Sequence, residues 1–292
     1  MSNQNIRRLM RSKLFVPAIR PDLFSKAVSS QADALCFDLE EGVPADRKVE
    51  ARENLSVFLR TFDSASHPAL LVRVNHATSA NLQLDLEAIV GPDLAAIALP
   101  KVETTEEISF VDELLTKIEY ARGITYPIAL LITIESARGL RCASKLAQSS
   151  PRIIGLQLGF ADLFEPIGIT STNAFARNHV RLMLRLAAAE ESIDCYESAY
   201  PFFRDEPGFV AQLKDARSLG FVGASCIHPS QINVANGVFA PTDEEIEYAK
   251  GILNAAEEAN QKGSAIAQYN GKMIDAPFLL RARSILAASD TH

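Results

Sequence analysis

The sequence has 292 residues, enough for one large domain or two ordinary domains with a substantial buried core. Hydrophobic residues make up 48% and charged residues 22%, which is typical of an ordinary globular protein and unlike a disordered chain. The 29 Lys and Arg residues are outnumbered by 36 Asp and Glu residues, and the resulting net charge of −7 argues against nucleic acid as a partner.

No feature of the sequence predicts secretion or a membrane span. The N-terminal MSNQNIRRLMRSK is basic but lacks the apolar stretch of a secretory signal, and no run of about 18 consecutive apolar residues occurs. The four cysteines include no C-x-x-C pair, and Cys36 and Cys226 stand within apolar runs, which predicts buried thiols. These features favour a cytoplasmic location.

Short apolar runs alternate with longer segments of helical periodicity, the pattern of βα units around a parallel sheet. Eight such runs occur, and most spacings leave room for one helix, so we predict a closed (β/α)8 TIM barrel, in preference to an open doubly wound sheet. In chain order the predicted strands are KLFV (13–16), ALCFD (34–38), LLVRV (70–74), AIALP (96–100), IALLITI (128–134), IIGLQLG (153–159), SIDCYES (192–198) and FVGASCI (221–227).

Helix signals fit between these strands and continue beyond them. Thr104 and Glu107 have the spacing of a capping box at the start of the helix that follows the fourth strand. Near Pro241 the barrel pattern ends, and PTDEEIEYAKGILNAAEEANQKG predicts a further helix. We therefore predict a barrel over 1–240 and a C-terminal helical extension over 241–292, which packs on its own barrel or on that of a neighbouring subunit.

Polar residues at the C-terminal ends of the predicted strands are the candidates for chemistry, because the βα loops of a barrel converge there. Glu135 ends the fifth strand and Asp162 follows the sixth, so the fold would place two carboxylates at one mouth. Carboxylate oxygens with room for water suit Mg²⁺ or Mn²⁺. The alternative is that each acid is a helix N-cap or a surface acid, since Asp and Glu are favoured electrostatically at helix starts.

Two basic residues stand near the predicted mouth. Arg73 lies within the apolar run LLVRVN and needs an anionic partner, either a substrate carboxylate or a structural pair with Asp38 or Glu40. Lys101 could form a Schiff base, but the nearby acids favour its charged form and hence a structural role. The sequence has no dinucleotide-binding, P-loop, serine-hydrolase or zincin motif.

The order of motifs resembles the citrate lyase β-subunit-like family of the HpcH/HpaI aldolase superfamily. The resemblance covers nearly the whole chain and is carried by eight strings in order: RSKLFVPAIRPDLFSKA, ADALCFDLEEGVP, VRVN, LPKVET, IESARGL, GFADL, CIHPSQI and GKMIDAP. It implies a (β/α)8 barrel that cleaves or forms a carbon–carbon bond in a 3-hydroxyacyl thioester of coenzyme A.

The resemblance also implies roles for particular residues. Glu135 and Asp162 match the family's Mg²⁺ ligands, and Arg73 matches its substrate arginine. The residues that match its contacts with coenzyme A or substrate are Phe15, Arg20 and Lys26.

The family's C-terminal motif implies one more catalytic residue and an oligomeric assembly. Asp275 matches an aspartate that, in similar enzymes, reaches an adjacent subunit's active site as a catalytic acid or base. We therefore expect a homo-oligomer, a trimer or a hexamer, although an ordinary helix N-cap is the alternative for Asp275.

The expected reaction is the Mg²⁺-dependent cleavage of citramalyl-CoA to acetyl-CoA and pyruvate. The alternatives are malyl-CoA or β-methylmalyl-CoA cleavage, citryl cleavage within a citrate lyase complex, malyl-CoA hydrolysis, and a non-catalytic role in assembly. The sequence departs from the family at 18–19 (Ala-Ile) and at 41–42 (Glu-Gly), both near the expected acyl or CoA site, so the identity of the thioester stays open.

Overall fold

The computed structural model describes residues 10–62, 68–261, 263–264 and 266–289. The segment at residues 1–9, which includes most of the stretch searched for a secretory signal, lies outside the described residues. The chain divides into two compact units, one ending at Val238 and one beginning at Phe239. Within the described ranges, no helix combines the length and apolar character that crossing a membrane requires.

The first unit is a closed barrel of eight parallel strands in sequential order, and the pairing of β1 with β8 closes it. The (β/α)8 prediction is confirmed, and each predicted strand is present within two residues of its expected bounds. The strands are β1 (Ser12–Pro17), β2 (Ala34–Asp38), β3 (Ala69–Arg73), β4 (Ala96–Leu99), β5 (Ala129–Ile134), β6 (Ile153–Leu158), β7 (Asp194–Glu197) and β8 (Gly223–Cys226).

Helices follow the strands as the sequence pattern predicts. The capping box at the start of α4 is present: Thr104 accepts a hydrogen bond from the Glu107 N–H, and the Glu107 side chain accepts one in return. Such a cap stabilises a helix by about 1 kcal/mol. The helices are α1 (Phe24–Val28), α2 (Lys48–Leu59), α3 (Leu82–Ile89), α4 (Thr105–Ala121), α5 (Ala137–Gln148), α6 (Phe160–Phe164), α7 (Ala174–Glu190), α8 (Glu206–Ser218) and α9 (Ser230–Phe239).

Side chains of the strands pack both outward and inward. On β2, Phe37 points outward and packs with Phe24 of α1 and Phe58 of α2, with ring centroids 4.8 and 5.2 Å away. Small and medium-sized side chains, among them Cys36, fill the interior. Cys36 and Cys226 are both buried as predicted, and burial raises the pKa of each thiol to about 12, so both stay protonated near neutral pH.

The second unit contains α10 (Asp243–Gln261), a hairpin of β9 (Ala267–Tyr269) and β10 (Lys272–Ile274), and α11 (Ala276–Ser289). The C-terminal helical extension is thus confirmed, but the hairpin was not anticipated. Asn270 and Gly271 form its turn with φ angles of 51° and 74°, both positive as a type I′ turn requires. The core of this unit consists of Ala249, Ile252, Ala267, Ile274 and Ala282.

Candidate active site

A cavity of about 540 Å³ opens at the C-terminal ends of the barrel strands. This is the end at which barrel enzymes place their catalytic groups. Four of the residues proposed from the sequence line it together: Phe15, Arg73, Glu135 and Asp162.

Glu135 follows β5 directly, but it does not cap the next helix. Ser136 is the N-cap of α5: its hydroxyl accepts a hydrogen bond from the Gly139 N–H at 3.0 Å and donates one to Glu103 at 2.6 Å. The Glu135 Oε1 atom accepts instead from the backbone N–H of Lys101 at 2.8 Å. The capping alternative therefore does not describe Glu135, whose carboxylate is buried at the cavity wall.

Asp162 lies in the first turn of α6, immediately after β6, and its side chain is 37% exposed. Burial, followed by repulsion from the Asp162 charge, raises the pKa of Glu135 to about 7. A cation held between Glu135 and Asp162 would relieve this repulsion and favour the ionised form of Glu135.

Arg73 pairs with residues of the neighbouring strand and its loop, as the structural alternative predicted. Its Nε and Nη2 donate to Asp38 Oδ1 and Oδ2 at 2.8 and 2.7 Å, and its Nη1 lies 3.1 Å from Glu40 Oε2. The guanidinium also lies over the Phe15 ring, 5.2 Å from its centroid. The charge of Arg73 is therefore already matched by carboxylates of the protein.

Lys101 lies among acids at the same mouth. Its Nζ contacts Glu41 and lies 3.2 Å from Glu40 Oε1 and 3.6 Å from Asp162 Oδ1. Burial lowers the pKa of Lys101, but the hydrogen bond to Glu41 and the charge of Glu40 outweigh it, so that the pKa is raised. A protonated ammonium is a poor nucleophile, which agrees with the structural role expected for Lys101.

The donor set fits a hard divalent cation. Carboxylates exceed cations at the mouth, where Lys101 and Arg73 face five acidic side chains. The buried Glu40 Oε2 is ion-paired with Arg73 but makes no hydrogen bond of good geometry within the described residues. No cluster of three or more His, Cys, Asp or Glu ligands is assembled in the described ranges. Mg²⁺ tolerates two protein carboxylates completed by water and substrate oxygens. The five acids are Asp38, Glu40, Glu41, Glu135 and Asp162.

Two other predicted residues of the first unit do not line this cavity. Arg20 is exposed and pairs with Asp22 at 2.7 Å, and Lys26 is exposed on α1. Asp275 belongs to the second unit, where its backbone carbonyl accepts hydrogen bonds at the start of α11. The roles assigned to these three residues remain predictions.

Polar residues that the sequence reasoning did not single out also line the cavity. Thr133, Gln157 and Ser225 lie on β5, β6 and β8, and Arg177 lies on α7. The sequence did contain a signal for them. A polar side chain at an alternate position of an otherwise apolar strand, such as Gln157 in IIGLQLG, indicates a polar group that faces the barrel interior.

A closed (β/α)8 barrel with carboxylates and cations gathered at its strand ends has the architecture of a barrel enzyme. Residues 11–229 match the HpcH/HpaI aldolase/citrate lyase family. The chain belongs to this family of lyase-type enzymes, which confirms the resemblance drawn from its motifs.

Individual relatives span the chain almost end to end. The chain is 33% identical to the citrate lyase subunit beta of Leuconostoc mesenteroides subsp. cremoris, over 100% of this chain and 96% of that protein. It is 32% identical to a (3S)-malyl-CoA thioesterase of Cereibacter sphaeroides, over 96% and 94%. The CitE protein of Mycobacterium tuberculosis, solved with magnesium, acetoacetate and coenzyme A, superposes with a TM-score of 0.75 at 29% identity, over 96% and 97%. The two named activities differ, so membership of the family does not decide the reaction.

Proposed function

We propose that this protein is a Mg²⁺-dependent carbon–carbon lyase that cleaves a 3-hydroxyacyl-CoA thioester, with citramalyl-CoA to acetyl-CoA and pyruvate as the leading reaction. The observation that carries the proposal is that the carboxylates of Glu135 and Asp162 line the same cavity, where burial and the charge of Asp162 raise the pKa of Glu135. It is supported by the similar CitE protein, whose structure holds magnesium and coenzyme A. Mn²⁺ suits the same oxygen ligands.

Glu135 and Asp162 would hold the metal, which when bound would supply Lewis-acid polarisation of the oxygens at the reacting carbon. The Lys101 N–H orients Glu135 by fixing its Oε1. Asp38 and Glu40 fix the plane of the Arg73 guanidinium, which is the proposed partner of the substrate carboxylate. Phe15 forms an apolar wall beside this guanidinium.

The proposed chemistry is a retro-Claisen cleavage. A carboxylate oxygen of Asp275, the proposed base, takes the proton of the 3-hydroxyl, and the C2–C3 bond breaks. C3 becomes the carbonyl carbon of the keto acid, and the electron pair passes to the thioester as an enolate. Protonation of that enolate at C2 completes acetyl-CoA. Phe15, Arg20 and Lys26 are the proposed contacts for coenzyme A or the acyl group.

Asp275 would serve the active site of an adjacent copy, and the proposed assembly is a homotrimer or a hexamer. This would give the C-terminal unit a catalytic purpose. The control for this assignment is the size of the assembly in solution, because a monomer that cleaves the thioester would remove the proposed role of a neighbouring subunit.

The similar proteins suggest alternative reactions for this protein. The likeness to a (3S)-malyl-CoA thioesterase favours hydrolysis as the second candidate, with the same metal and arginine. The likeness to citrate lyase subunits beta favours citryl cleavage within a complex. Malyl-CoA or β-methylmalyl-CoA cleavage and a non-catalytic role in assembly complete the set.

One experiment separates these outcomes. The purified protein is incubated with Mg²⁺ and each of citramalyl-, malyl-, β-methylmalyl- and citryl-CoA, and the acids released are resolved by mass. Pyruvate from citramalyl-CoA is the expected result, whereas free malate from malyl-CoA would indicate hydrolysis. If no thioester is consumed and the Glu135→Ala and Asp162→Ala variants retain the metal content of the wild type, the catalytic proposal is wrong.

A further inference from the structure

Lys13 is a fully buried cation inside the barrel, and the described residues offer it no carboxylate partner. Its relative exposure is 0%, and no carboxylate of the described residues lies within ion-pair distance of its Nζ. Burial lowers its pKa to about 8, so the ammonium remains largely protonated near neutral pH. A buried charge of this kind calls for an anion that the described part of the chain does not supply.

The hydrogen bond of the Lys13 side chain determines how Gln157 is oriented. The Lys13 Nζ donates to Gln157 Oε1. Because an ammonium group can only donate, the amide oxygen of Gln157 must face it, and the two amide hydrogens on Nε2 are left for another partner. Gln157 lines the cavity, so Lys13 makes it a donor for a ligand there.

Two hydroxyl groups beside this pair have no hydrogen-bond partner within the described ranges. Thr133 is 4% exposed and Ser225 is 1% exposed, and both line the same cavity. Thr133 is in register with Gln157, and Ser225 is in register with Lys13, so all four side chains face the barrel interior. Buried hydroxyls are normally paired, which indicates that a ligand or water completes them.

The position of these groups suits a small acid held at the metal site. Thr133 precedes Glu135 by two residues, so Thr133 and its register partner Gln157 lie about 7 Å below Glu135 along the strand direction. Lys13 and Arg73 lie 5.7 and 5.2 Å from the centroid of the Phe15 ring, and this ring lines the cavity. Asp38 and Glu40 balance the charge of Arg73, whereas no carboxylate of the described residues balances the charge of Lys13.

We propose that Lys13, Gln157, Thr133 and Ser225, here called the cavity floor, form a subsite for the carboxylate of the oxo-acid half of the substrate. Gln157 and the two hydroxyls donate to the carboxylate, and Lys13 acts as a positioning residue that orients Gln157 and supplies the positive charge. The subsite rests on the proposed function for the identity of its acid, and it complements Arg73 on the cavity wall.

Binding of pyruvate and of its neutral analogue pyruvamide tests the subsite directly. Dissociation constants are measured by calorimetry with saturating Mg²⁺ for the wild type, Lys13→Met, Thr133→Val and the control Lys145→Met, which removes an exposed charge. We expect Lys13→Met to weaken pyruvate binding at least tenfold and Thr133→Val at least threefold. The losses for pyruvamide should be smaller, because its amide oxygen can accept from the same donors but carries no charge. Lys145→Met should bind both ligands as the wild type does.

Thermal unfolding separates this role from a structural one. Lys13→Met replaces an unpaired buried charge by an apolar side chain of similar length, so its melting temperature should equal or exceed that of the wild type. Unchanged pyruvate affinity in Lys13→Met, equal losses for pyruvate and pyruvamide, or a wild type that binds no pyruvate would each overturn the proposal. The test does not depend on thioester cleavage, so failure of the proposed function would be seen separately in the CoA panel.

Discussion

Gly159 lies directly against the Glu135 side chain: a Cβ at position 159 would come within 2.6 Å of the Glu135 Cβ and closer still to Oε2. Real Cβ atoms do not approach each other this closely, so any larger residue must displace the carboxylate. The glycine of GFADL thus leaves room for the proposed metal ligand at the end of the neighbouring strand.

We predict that Gly159→Ala lowers the affinity for Mg²⁺ by about tenfold or more, because a displacement of about 1 Å spoils ligand geometry. Calorimetric titration with Mg²⁺ measures the effect. Gly237→Ala is the matched control, since a Cβ there would meet nothing within 4 Å. Equal Mg²⁺ affinity in the two variants would contradict the placement of the metal at Glu135.

Removal of the Glu135 charge should stabilise the metal-free protein at high pH. The folded-state pKa of Glu135 is raised from 4.5 to about 7, so the folded protein favours the protonated side chain. The stabilising contribution of that proton is fully present below pH 4.5 and is lost as the pH rises through 7. At pH 8 the free energy of unfolding of Glu135→Gln should therefore exceed that of the wild type by about 1–3 kcal/mol, and its melting temperature should be higher. At pH 5 the two proteins should differ little. Melting curves in EDTA provide the measurement, and a variant less stable than the wild type at pH 8 would contradict this account.

Chelation should abolish cleavage of the thioester. EDTA is expected to remove activity and added Mg²⁺ to restore it, because the carboxylate-rich mouth needs a cation to bind an anionic substrate. The raised pKa of Lys101 keeps its amine protonated, so borohydride with pyruvate should not label this residue, as peptide mass mapping would show. Activity that survives EDTA together with labelling at Lys101 would indicate a Schiff-base aldolase instead.

Mixing of two inactive variants tests the proposed sharing of the active site. Glu135→Gln removes a metal ligand and Asp275→Asn removes the proposed base, so each alone should lose at least a hundredfold in kcat. Subunits exchanged between the two variants should regain activity, because some sites then combine an intact Glu135 with an intact Asp275. Light scattering on the mixture checks that oligomers have re-formed. If re-formed oligomers remain inactive, Asp275 does not act across subunits.

The strands and the helix cap could be predicted from the sequence because local residue patterns determine them. Apolar runs of the right length became eight strands, and the spacing of Thr104 and Glu107 produced the capping box. The hairpin of the second unit was missed, although Asn270-Gly271 is the dipeptide that favours its turn. Its flanking strands have three residues each, too short for a periodic signal to be read.

Pairing within the site could not be read from the same patterns. The sequence marked Arg73 as a residue in need of an anion and left two partners open, and only the register of β2 against β3 placed Asp38 opposite it. Lys13 was read within a motif and given no role. Its contact with Gln157 joins positions 144 residues apart in the chain.

The sequence by itself determined the kind of fold and which acids stand at the strand ends, since strand formation and the direction of parallel strands follow from local periodicity. The tertiary structure alone decided which of those groups meet. Closure of the barrel sets the register of β1 against β8 and of β5 against β6, and this register places Lys13, Ser225, Thr133 and Gln157 in one interior. Contacts between distant strands depend on that closure, which no local stretch of the sequence encodes.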